Sequence, residues 1–95
     1  GRCADYILKD RQDCLHVFVH AGLAARADRI VRLYGESENS PEKRLEEKDK
    51  KRRNYYKHYT DREWGMAQNY HLSLDSGVIG LEKCADVIVR LAQSL

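Results

Sequence analysis

The run Leu15-His16-Val17-Phe18-Val19-His20 constrains this chain more than any other stretch. Its residues are β-branched or aromatic, and Asp13 before it and Ala21-Gly22 after it bound it as a short buried strand. A helix follows at once. Leu23, Ala27, Ile30, Val31 and Tyr34 recur at helical spacing, and Gly35 stands where a left-handed C-cap is wanted. Strand, two-residue turn and helix make half of a βαβ unit, which calls for a second strand parallel to the first and a right-handed crossover between them. Tyr70 to Leu74 supplies it: apolar and polar residues alternate there and lead into a turn at Asp75-Ser76-Gly77.

Between the two strands, Glu36 to Ser40 reads as a polar loop. Ser40-Pro41-Glu42 then gives a helix start, with a hydroxyl N-cap, proline in the first turn and an acid at the positive helix end. That helix is expected to run to about His58. Thr60 to Asn69 reads as an irregular return segment anchored by Trp64. The last helix, from Gly80 onward, carries the stripe Leu81, Cys84, Ala85, Ile88, Leu91 and Leu95. The expected fold class is α/β: two parallel strands with flanking helices and one long basic helix. A parallel pair needs cover on both faces, so the chain reads as one edge of a larger α/β sheet.

Ninety-five residues make one small domain, and 42% hydrophobic with 34% charged content excludes collagen-like and low-complexity chains. No apolar run approaches the ~18 residues of a membrane helix, and the first residues lack the profile of a secretory signal, so a cytoplasmic chain is expected. Cys3, Cys14 and Cys84 show no paired spacing and read as reduced thiols. The net charge of +2 conceals an asymmetry: Glu42 to Lys57 holds eight Lys/Arg against four Asp/Glu. Such a block suits phosphate contact; the plainer account is a solvated helix face.

On the long helix Leu45, Asp49, Arg52, Tyr56 and Tyr59 form one stripe, so a face that should be apolar carries an acid and an arginine. Arg26 and Arg29 lie off the apolar stripe of their helix and are candidates to face a nucleotide. Asp5 either steadies Arg2 or sits in a first helical turn, where acids are favoured. His16, Phe18 and His20 share a strand face with Cys14 in line, but strand histidines need no metal, and none is expected. Tyr55, Tyr56, Tyr59 and Trp64 at helical spacing read as packing before base stacking.

These residues, in this order, resemble the C-terminal half of a cytidylate kinase-like P-loop protein of the nucleoside monophosphate kinase class. The resemblance covers nearly the whole chain. Gly1-Arg2 is similar to the Gly-Arg after the third sheet strand, whose arginine grips the acceptor phosphate. His20-Ala21 with Arg26-x-x-Arg29 resembles the strand and helix leading to the lid. Lys48-Asp49 with Arg52 resembles the lid's charged signature, and Leu74-Asp75-Ser76 with Leu81-Glu82 resembles the last strand and closing helix.

The resemblance implies that residues 1–95 are the acceptor-side part of such a domain, with a lid at about 36–69. It implies catalytic roles for Arg52, Arg44 and Lys48, substrate binding by Arg2, Asp5 and Asp49, and nucleotide binding by Arg26 and Arg29. Arg53, one residue off the stripe, is expected to matter little. The sequence contains no GxxxxGKS or GxxxxGKT, so the donor-phosphate loop is absent from it. Mg²⁺ and ATP are therefore expected only with a complete protein, and these 95 residues alone should be inactive. Self-association, or pairing with a P-loop half, should cover the open sheet. A membrane partner is not expected and nucleic acid is disfavoured, although a non-catalytic module whose basic helix binds nucleic acid or another anionic partner is the alternative reading.

Overall fold

The computed structural model describes residues 2–34 and 41–95. The Gly1 contact, the Gly35 cap, the loop to Ser40 and the Ser40 N-cap lie outside the described residues. The elements run α1 (Ala4–Ile7), β1 (Val17–His20), α2 (Leu23–Tyr34), α3 (Pro41–Thr60), a 3-10 turn (Ala67–Asn69), β2 (Leu72–Asp75), α4 (Ser76–Ile79) and α5 (Leu81–Ser94).

β1 and β2 pair in parallel, with Val17 opposite Leu72 and His20 opposite Asp75. Both strands therefore end at the same edge, and both feed helices there. β2 starts and ends later than its alternation suggested, because Tyr70 still closes the preceding 3-10 turn, its N–H donating to the Ala67 carbonyl. The expected turn after β2 is a helical one. Asp75 caps α4, its carboxylate accepting from the N–H groups of Gly77 and Val78. Gly80, at φ 94°, then breaks the chain direction before α5, in a backbone region that favours glycine.

Among the described residues the core is thin, made of Cys3, Ala27, Leu45, Tyr56, Leu74 and Cys84. β1 is less buried than its composition suggests, with Val19 44% exposed, because its outer residues meet no covering layer. α5 behaves alike: Cys84 is buried, but Leu81 stays 51% and Leu95 84% exposed. The accessible surface is 7322 Å² for 11.1 kDa, against about 5,650 Å² for a compact monomer of that mass. The radius of gyration is 14.9 Å, against about 12 Å for a compact domain of this length. The excess surface, on the order of 1,600 Å², is about twice the ~800 Å² that one partner contributes to a standard protein interface. The chain is a plate, 17 Å through its shortest axis, and no helix among its described residues is long and apolar enough to cross a membrane.

Candidate functional site

Two clefts share one arginine. The first, about 690 Å³, lies between α1, the approach to β1 and the C-terminal half of α3; its walls include Arg2, Asp5, Arg52, Tyr55, Tyr56 and Trp64. The second, about 660 Å³, opens at the carboxyl edge of the two strands and is walled by His20, Arg26, Arg29, Asp49, Arg52, Arg53 and Ser76. That edge is where parallel α/β sheets present their ligands. Arg52, Phe18 and Trp64 belong to both walls.

The first cleft is held by a tyrosine. Tyr56 is buried on α3, and its hydroxyl donates to Asp5 Oδ2 at 2.6 Å, tying α3 to α1 across 51 residues. Burial, reinforced by the bond to Asp5, pushes the Tyr56 phenol up to about 12, and burial raises Tyr70 as well. The Arg2 guanidinium lies over the ring of Tyr55, 4.9 Å from its centroid, a cation–π contact. Thr60 closes the helix by donating to the Tyr56 carbonyl at 2.6 Å. Behind the cleft Phe18 meets the edge of Trp64 at 5.5 Å, and Gly65, at φ 82°, brings the backbone against the Phe18 ring.

Because the folded chain keeps the Tyr56 phenol protonated above the usual tyrosine range of ~10, it binds more protons than the unfolded chain up to about pH 12. Stability present below pH ~10 is thus lost as pH rises through that window. Denaturant melts across that range should show the loss, and Tyr56→Phe should flatten the slope. A slope unchanged in the variant would contradict the assignment.

The second cleft is held by a carboxylate. Asp49 accepts from both terminal nitrogens of Arg26, at 2.6 and 3.0 Å, and from Arg52 Nη1 at 2.9 Å. The Arg26 bond lowers the Asp49 carboxyl and outweighs the opposing effect of burial, with Arg52 adding to it; Arg26 is raised in turn. Arg29 reaches Ser76 Oγ at 3.5 Å, and that hydroxyl donates to the His20 carbonyl, fixing α4 to the end of β1.

The structure thus brings Arg2, Asp5 and Arg52 to one cleft and Arg26, Arg29, Asp49 and Arg52 to the other. Lys48 and Arg44 are exposed and line neither; one and two helical turns from Arg52, they lie about 6 and 12 Å along α3 from it. Asp5 bonds Tyr56, a partner its spacing from Arg2 did not suggest. Arg53, expected to matter little, lines the second cleft, because this wall of α3 extends past the stripe. His16 stacks on His71 at 5.1 Å, and the His16 backbone N–H donates to His71 Nδ1. Among the described residues no group of His, Cys, Asp or Glu could hold a metal ion.

Two parallel strands feeding helices, with a charged helix laid beside their carboxyl edge, define an α/β module. The chain belongs to the cytidylate kinase-like family, whose model matches residues 1–78. It is similar in fold to the crystal structure of an uncharacterized protein from Eubacterium ventriosum ATCC 27560, with a TM-score of 0.89 and 24% identity. That likeness covers 100% of this chain, including α5 beyond the family match, and 53% of the other, so the chain spans about half of that relative's length. Comparison with the curated proteins gives no match.

Proposed function

We propose that this chain is the acceptor-side and lid portion of a nucleoside monophosphate kinase-like phosphotransferase, moving a nucleotide γ-phosphoryl to a CMP-like monophosphate. The observation that carries the reading is Arg52, a cation on the wall common to both clefts. Phosphoryl transfer demands positive charge at the junction of donor and acceptor sites, where negative charge spreads over three equatorial oxygens, and it needs little else from side chains.

In this reading Arg2 grips the acceptor phosphate in the first cleft and Arg52 faces the transferring group. Asp49 holds Arg52 before the phosphoryl group arrives, and Arg26 and Arg29 line the nucleotide side. Arg44 and Lys48 act only if α3 moves toward the clefts, as a closing lid does. ATP arrives on a donor loop belonging to a longer protein. The described residues give Mg²⁺ no ligand set, so no step rests on it here. The uncovered strand edges and α5 face are covered by that P-loop half or by a second copy of the chain.

Arg2→Ala in a protein complete with its donor loop should weaken CMP binding by about tenfold or more, the loss of one charge-assisted bond. Calorimetric titration at two salt concentrations checks it. An affinity that Arg2→Ala leaves unchanged, yet salt weakens, would instead favour a basic surface for anionic partners.

A further inference from the structure

α3 meets α2 through charge at a place where paired helices ordinarily interdigitate apolar side chains. On the stripe facing α2 and α1, Leu45 and Tyr56 are buried, and between them lies the Asp49 carboxylate, its side chain only 15% exposed. Both of its oxygens are engaged: Oδ2 by Arg26 Nη1, and Oδ1 by Arg26 Nη2 and Arg52 Nη1. A planar guanidinium fork gripping two oxygens of one anion is also how arginine grips a phosphoryl group. Arg29 and Arg53 line the same cleft, so its wall carries four arginines against the one Asp49 carboxylate. That imbalance of charge suits a further anion.

We propose that Asp49 is an internal counter-anion that holds the Arg26 fork and Arg52 until a phosphoryl group displaces it, so that the α2–α3 contact is a latch released by the ligand. The proposal rests on reading the second cleft as a phosphoryl site. Once displaced, the carboxylate no longer joins the helices, and α3 stays pinned near its C-terminal end by the Tyr56–Asp5 bond. The middle of α3 then gains freedom as the ligand arrives, the opposite of what a rigid site shows.

Trp64 is the chain's single tryptophan and lines the cleft, so its fluorescence reports occupancy. The 95-residue chain is titrated with inorganic phosphate at constant ionic strength, beside CMP and tripolyphosphate, which carry the group as acceptor and donor do. Asp49→Asn should bind at least one of the three about tenfold more tightly than the wild type, while melting at a lower temperature without ligand. Amide exchange of the wild type over residues 45–52 should speed up on saturation, a readout independent of whether the variant folds. Wild-type binding that Asp49→Asn fails to tighten, or exchange that slows on saturation, would overturn the latch and leave the phosphoryl site standing. A saturable response in neither protein would remove the site itself.

Discussion

Arg52→Ala, in a protein that includes the donor-phosphate loop, should lower kcat by about 100-fold or more, as removal of one preorganised donor does, and should leave KM nearly unchanged. The size follows from position: Arg52 lines both clefts, so charge developing on a group passing between them meets it. The loss is not one of folding. Asp49 keeps both bonds from Arg26, so α3 remains attached to α2 when the Arg52 side chain is gone. Arg53 cannot serve as the control, because it walls the second cleft. Lys50→Gln can, since Lys50 is exposed and lies outside both walls, about 160° around the helix from Arg52. Steady-state kinetics of the two variants decide the matter; equal, small, salt-dependent losses at both positions would mean that α3 is only a basic surface.

The isolated 95-residue chain should transfer no phosphoryl group from ATP to CMP, dCMP or UMP above background. The argument is local. Holding a triphosphate for in-line transfer takes a loop of backbone N–H groups and a lysine aimed at the β and γ phosphates, and no stretch of this sequence has that pattern. Four arginines in the second cleft can attract phosphate, but attraction without alignment leaves most of the barrier in place. A coupled assay that follows nucleoside diphosphate formation checks it. Turnover that co-purifies with the chain and vanishes with Arg52→Ala would reassign the roles proposed for these clefts.

Much of the architecture was legible because it rests on local pattern. The β-branched run before Ala21-Gly22 fixes β1 and the start of α2, and Ser40-Pro41-Glu42 marks the start of α3 closely. The charged stripe on α3 shows that an acid and an arginine face the body, and the i,i+3 spacing of Asp49 and Arg52 puts them within reach of each other. What spacing cannot show is contact between elements. Arg26 finds Asp49 across 23 residues and Tyr56 finds Asp5 across 51, and no periodicity encodes either. Asp5 sits in the first turn of α1, one of the two places its sequence allows, but its bond to Tyr56 has no local signal, and Arg53 looks remote because a helical wheel cannot tell how far a cleft wall wraps around a helix. The open sheet was legible from the need of a parallel pair for cover on both faces, whereas the exposure of Leu81 on α5 was not: an apolar stripe says that a face wants cover, not that the cover belongs to the same chain.

The parallel register carries a consequence for the order in which this chain becomes organised. Val17 lies opposite Leu72, so the strands close a loop of 55 residues for the sake of a four-residue ladder. Closing a flexible loop of that length costs about 3.5 kcal/mol beyond a fixed term, more than so short an isolated pairing returns. Folding the connection into α2 and α3 shortens the flexible loop that the pairing has to close, and the His71 N–H, donating to the His16 carbonyl, brings the return segment to the start of the ladder. A proteolytic cut in the middle of α3 would therefore release both strands at once, although it touches neither.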